Sequence, residues 1–84
     1  MNALKEHFEQ SVERINNYSD PIPPDTLLRL YALYKRATNN RQEPGSKMPI
    51  INAFKLNAML QLGRISPKKA MKEYVKEATV LLGD

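Results

Sequence analysis

The sequence has no cysteine, no tryptophan and one histidine, His7. Without cysteine there can be no disulfide, a support that small secreted domains often need, so a reducing, cytoplasmic setting is expected. A metal cluster at His/Cys spacing is excluded by count. A nucleophile–histidine pair would have to use His7, which sits beside the first apolar stripe near the terminus, and a surface or half-buried structural role fits it better. Long apolar runs are also missing, so no segment can span a bilayer and no membrane insertion is expected. No charged stretch followed by an apolar one opens the chain, so no secretory signal is expected either. Acidic residues are scattered. Glu73 and Glu77 lie four apart among Lys72 and Lys76 and read as solvated ion-pair partners on a helix surface. Pro44-Gly45-Ser46-Lys47 looks like a fragment of a phosphate loop but lacks the spacing of that motif. With neither base nor nucleophile in evidence, no catalytic residue is assigned and the chain is not expected to be an enzyme.

What remains is an ordinary globular composition. The 84 residues are 42% apolar and 26% charged, enough for one domain with one modest core. The net charge of +4 is unevenly placed. Residues 1–30 carry three basic against five acidic side chains, a net of −2, while residues 31–84 carry ten against four, a net of +6. An anionic partner with phosphate, whether on a nucleotide, a nucleic acid or a lipid, suits the later part of the chain. A solvated basic face would leave the same signature.

Apolar spacing throughout is helical. Leu4, Phe8, Ser11, Val12 and Ile15 form a first stripe, ended by Asn16-Asn17 and by Asp20-Pro21-Ile22-Pro23-Pro24, where proline removes a donor and restricts its neighbour. A second helix starts near Pro24 or Asp25, with Leu27, Leu30, Tyr31, Tyr34 and Ala37 as its stripe, and ends at Thr38-Asn39-Asn40. Arg41 to Pro49 holds Pro44, Gly45 and Pro49 and reads as a loop. A third helix runs from about Ile51 to Leu62, with Ile51, Phe54, Ala58 and Leu62 on one side and Gly63 as its stop. Ser66-Pro67 opens the fourth, serine as cap and proline at the first helical position. Its stripe is Met71, Tyr74, Val75, Ala78 and Leu82, and Gly83 ends it. The expected fold is all-α, a four-helix bundle burying four stripes.

The informative stretch is Leu30-Tyr31-Ala32-Leu33-Tyr34-Lys35-Arg36-Ala37-Thr38. Tyr31, Tyr34 and Lys35 stand at i, i+3 and i+4 and share a helix face. Two phenols and an ammonium group offer a stacking surface, hydroxyls and a positive charge suited to a base and a phosphate. Taken alone, the same spacing fits core tyrosines with hydroxyls at the rim at least as well. Order along the chain adds to it. Tyr-x-x-Tyr-Lys-x-Ala-Thr is followed by the Pro-Gly segment, then Lys55 early in the third helix, then Ser66-Pro67-Lys68-Lys69-Ala70-Met71-Lys72-Glu73-Tyr74-Val75.

This pattern resembles the acyl-CoA-binding protein family, from Phe8 to about Leu82. The resemblance implies a single acyl-CoA-binding domain over residues 1–84, an up-down-down-up bundle with helices two and three parallel, and a non-catalytic carrier of long-chain fatty acyl-CoA. It also implies roles. Tyr31, Lys35 and Lys55 match positions that hold the ribose 3′-phosphate of coenzyme A. Tyr34 and Tyr74 match the adenine and ribose site, and Leu27, Leu28 and Phe54 the acyl-chain groove. The ligand is cargo, so no cofactor and no metal are expected. The implied partners are acyl-CoA and the enzymes that use it, with no nucleic acid, no membrane insertion and a monomeric state.

The chain departs from the family pattern in several places. Leu56 and Met59 stand where two tryptophans are usual in helix three, and Asn16 where a lysine often lies late in helix one. Asn52-Ala53-Phe54 replaces a glycine-containing lead-in, and Phe54 is bulkier than the usual residue there. These changes bear on chain-length preference and affinity. Three other readings compete: a helical nucleic-acid-binding module, supported by the basic later half; a protein-interaction bundle with an apolar groove, which needs no fixed tyrosine–lysine set; and an enzyme or an accessory domain of one, against which the lack of a base or nucleophile counts.

Overall fold

The computed structural model describes residues 3–39 and 49–83. They form four helices, α1 (Ala3–Asn16), α2 (Pro24–Ala37), α3 (Pro49–Gln61) and α4 (Pro67–Leu82). Local chemistry sets most of the boundaries. Pro24 occupies the first turn of α2, where its missing N–H costs nothing. Lys35 and Arg36 fall in the last turn of α2, where cations complement the helix dipole. Ser66 caps α4 by accepting from the Lys69 backbone N–H at 3.1 Å, with Pro67 next to it. Gly83 closes α4 in the left-handed region at φ 76°, a conformation that costs glycine little. Residues 40–48 lie outside the described residues, so the loop reading of that segment is open except at its edge. There it needs correcting, because Pro49 is the first residue of α3. Proline fits a helix start as well as a loop, since φ is already set.

Side-chain contacts give the helix directions. Phe8 of α1 meets Tyr34 near the end of α2, while Ile15 and Asn16 line the same cleft as Pro24 and Leu27, so α1 and α2 are antiparallel. Arg29 pairs with Glu77, and Arg36 reaches the Ile65 carbonyl just before α4, so α2 and α4 are antiparallel. Lys55 lies over Tyr31, and Arg36 also reaches the Gly63 carbonyl just past α3, so α2 and α3 run the same way. The result is the up-down-down-up bundle. Helix α4 packs on α1 and α2, and α3 packs on α2.

The core lies between α1, α2 and α4. Phe8, Ile15, Leu30, Leu33, Ala37, Ala70, Tyr74 and Ala78 are buried together, with Leu33 fully enclosed. Burial at roughly 25 cal/mol per Å² of apolar surface makes this cluster the main source of stability. The second stripe needs correcting. Leu30 and Ala37 face the core with Leu33, whereas Leu27 and Tyr34 are 52% and 41% exposed. At 3.6 residues per turn, Leu27, Tyr31 and Tyr34 centre on a line roughly 90° round the helix from Leu30, Leu33 and Ala37, so this row points away from the core face. The third stripe differs more. None of the described α3 side chains is buried, and Phe54 is half exposed. Glu73 and Glu77 are ion-paired as expected, but through Arg29 across the helix interface, at 3.6 and 2.7 Å, as well as through Lys69 within α4.

Candidate acyl-CoA site

Helix α1 packs on α4 and α3 packs on α2, and a cleft of about 770 Å³ opens among the four helices. That is within the usual range for a small-molecule pocket. Leu30 and Tyr74 contribute from the core, Val12, Ile15 and Asn16 from α1, and Ile51, Phe54 and Lys55 from α3; α2 supplies Pro24, Leu27, Leu28, Tyr31 and Tyr34. The row turned off the core face is therefore the row that faces the cleft.

Seven of the eight site residues expected from sequence line this cleft: Leu27, Leu28, Tyr31, Tyr34, Phe54, Lys55 and Tyr74. The eighth, Lys35, is buried beside it. Its Nζ lies 5.8 Å from the centre of the Tyr31 ring, and Lys55 Nζ lies 4.8 Å from the same ring. Both distances are within cation–π range. Two ammonium groups from two helices thus converge on one phenol. The i, i+4 spacing in α2 places Lys35 beside Tyr31, and the parallel course of α3 brings Lys55 across.

The aromatic residues form a second cluster. Phe8 stacks with Tyr34 at 6.1 Å between ring centres and meets Tyr74 edge-on at 5.2 Å. Phe8 is buried and Tyr34 is partly exposed, so Tyr34 is backed by a ring on one side and open on the other. Burial, together with the nearby Tyr34 hydroxyl, pushes the Tyr74 phenol up to about 12. Burial also raises the Tyr31 phenol. Both therefore stay neutral hydroxyls, able to donate a hydrogen bond, at any ordinary pH.

The cleft is mostly apolar at the end formed by Leu27, Leu28, Ile51 and Phe54 and carries its charge at Lys55 and the neighbouring Lys35. Val12, Ile15, Pro24, Leu30 and Ile51 are lining residues that sequence reasoning did not assign. Ile51 was the most accessible of them, since it stands three and four residues before Phe54 and Lys55. His7 is exposed on α1, away from these residues. Among the described residues there is no cluster of histidine, cysteine or carboxylate side chains that could hold a metal ion, and no helix long and apolar enough to cross a membrane.

This fold and this cleft place the chain among small helical bundles with an open apolar groove. The family described as "Acyl CoA binding protein" matches residues 5–78, and the chain belongs to that family. It is 35% identical to the acyl-CoA-binding protein of Saccharomyces cerevisiae over 71 residues, which is 81% of this chain and 80% of that protein. It is 25% identical to an acyl-CoA-binding protein homolog of Manduca sexta over 83 residues, covering 95% of this chain and 92% of the relative. The crystal structure of Oryza sativa acyl-CoA-binding protein 2 superposes with a TM-score of 0.81 at 30% identity, covering 96% of this chain and 92% of the other. The chain also resembles a fifth of human enoyl-CoA delta isomerase 2, at 33% identity over 78 residues.

Proposed function

We propose that this protein is a non-catalytic, cytoplasmic, monomeric carrier of long-chain fatty acyl-CoA esters that presents them to the enzymes using them. The observation that carries this reading is the cleft itself, which joins an apolar row to a phenol flanked by two ammonium groups. Lys35, Lys55 and the Tyr31 hydroxyl hold the ribose 3′-phosphate. Tyr34, backed by Phe8, offers its open face to the adenine, and the Tyr74 hydroxyl borders the same end. Leu27, Leu28 and Phe54 line the path of the acyl chain.

The magnitudes require both ends of the ligand. A methylene withdrawn from water gains about 0.8 kcal/mol, so a dozen give at most on the order of 10 kcal/mol. Ordering a flexible chain and losing its translational freedom offset several kcal/mol of this. The apolar end alone would take fatty acids and detergents equally well. Two lysines near a phosphate add a few kcal/mol at an effective dielectric of about 20, less in salt, and this contribution selects the coenzyme A ester. Carriage follows, because a bound tail is shielded from water and from micelle formation.

Titration calorimetry with palmitoyl-CoA, free coenzyme A and palmitate, each below its aggregation threshold, tests the reading. Tight one-to-one binding of the ester, with both fragments much weaker, is the expected result. A chain that ignores the ester is no carrier of it, and the nucleic-acid and partner-protein readings would then come forward.

A further inference from the structure

A second cavity of about 570 Å³ lies on the other side of the seam between α2 and α3. Among the described residues it is bounded by Leu28, Ala58 and Leu62, which are half-buried, and by the exposed polar residues Asp25, Arg29, Asn57 and Gln61. The two cavities share two lining side chains, Leu28 of α2 and Phe54 of α3. Leu28 and Phe54 are thus the partition between them. Everything else that lines the first cavity is absent from the second.

Phe54 is the larger half of this partition and the easier to move. Half of its surface is exposed and it is no part of the buried core, so the packing of the bundle does not dictate its presence. A long apolar chain lying in the first cleft along Leu27 and Ile51 passes to the second cavity at Leu28 and Phe54, which line both. Beyond them the surroundings become mixed, with the Arg29 guanidinium held by Glu73 and Glu77.

From this geometry we infer that Phe54 is the residue that sets the longest acyl chain the cleft accommodates, closing it off from the cavity behind. The inference rests on the carrier reading and deepens it. In the parent protein, affinity climbs by roughly fourfold for each added methylene while the chain still finds apolar wall. It then levels off once the chain reaches the Phe54 ring. With the ring removed, the two cavities join, and the tail continues over Leu28, Ala58 and Leu62.

The test is a calorimetric series of saturated acyl-CoA esters from eight to twenty-two carbons, measured on the parent protein, Phe54→Ala, Phe54→Trp and Leu60→Ala. Leu60 is on the same helix, is exposed, and lines neither cavity. Phe54→Ala should move the plateau to longer esters by several carbons, leaving the longest esters about tenfold or more tighter relative to the shortest ones than in the parent. Phe54→Trp should bring the plateau to shorter esters, and Leu60→Ala should keep the parental profile. A uniform drop in affinity across all lengths in Phe54→Ala, with the plateau unmoved, would overturn the inference while leaving the carrier reading intact. Failure of the parent to bind any ester would instead overturn the carrier reading and this inference with it. Far-ultraviolet circular dichroism on each variant confirms that the comparison is made on folded protein.

Discussion

Helix α3 and the other three helices are built on different terms. Helices α1, α2 and α4 each bury residues that pack on one another: Phe8 and Ile15, then Leu30, Leu33 and Ala37, then Ala70, Tyr74 and Ala78. Helix α3 buries none among its described side chains and leaves Ile50, Phe54, Leu56 and Leu60 largely in the open. Its sequence between Pro49 and Gln61 carries a single charge, Lys55, and that side chain turns toward Tyr31. The lesson is a division of labour. Three helices hold the molecule together, and the fourth forms one wall of a cleft and delivers one cation to it. A wall that has to admit a ligand cannot also be sealed into the core.

The largest effect should come from cutting into the three-helix side. Leu33→Ala removes the one large side chain that is fully enclosed among the described residues, and losses of about 2–5 kcal/mol are typical of such sites. A domain of this size has roughly 5–12 kcal/mol in all, so Tm should fall by more than about 10 °C. The paired change on the other side, Leu60→Ala at a position 78% exposed, should stay within about 0.5 kcal/mol in a urea titration. Equal losses from the two would erase the distinction drawn between the helices.

Next come the lysines. Lys35→Ala and Lys55→Ala should each weaken palmitoyl-CoA binding by about tenfold to a hundredfold, the range for a lost charge-assisted contact, with helicity nearly unchanged. Lys55→Ala should do so with no change in urea midpoint, because its helix contributes nothing to the buried cluster. A variant that binds as the parent does takes that lysine out of the site.

The alkaline limb of stability probes the seam between core and cleft. Tyr74 is held at about 12, above the ordinary value of 10, because its ionised form is disfavoured in the fold. The unfolded chain therefore releases this proton first. The stabilisation is complete below pH 10 and is lost as pH rises from about 10 to 12, by on the order of 2 kcal/mol. Tyr74→Phe should flatten that part of the denaturation profile, and a slope that persists unchanged would assign it to other groups.

The smallest effect expected is that of Tyr31→Phe. Loss of one hydroxyl should weaken acyl-CoA binding by about threefold to tenfold and leave stability within error. An unchanged calorimetric affinity would reduce Tyr31 to packing between the two lysines.

Much of this was readable beforehand, for identifiable reasons. The ends of α2 and α4 follow from local chemistry at Pro24, Ser66-Pro67 and Gly83, and local chemistry survives in the sequence. The gathering of Tyr31, Tyr34 and Lys35 follows from helical spacing, and that of Lys55 and Tyr74 from the family resemblance. The exposure of α3 was not readable, because periodicity reports which residues share a face without saying whether anything covers that face. The ties of Arg29 to Glu73 and Glu77 were missed because spacing within one helix cannot register a partner on another. For the same reason spacing alone groups Leu27 and Tyr34 with Leu30 and Ala37 in one stripe, and it is the family resemblance that assigns them to the groove and the adenine site.

Arg36 adds a point about what this molecule can tolerate. Its guanidinium donates to the carbonyls of Gly63 and Ile65, at 2.9 and 2.7 Å, and so fastens the α3–α4 turn to the end of α2. Every residue type offers a backbone carbonyl, so this fastening does not depend on which side chains the turn carries. Arg64, exposed between the two anchored residues, can be exchanged freely as the lineage drifts, whereas an uncharged residue in place of Arg36 would release both carbonyls from the one terminal nitrogen that holds them.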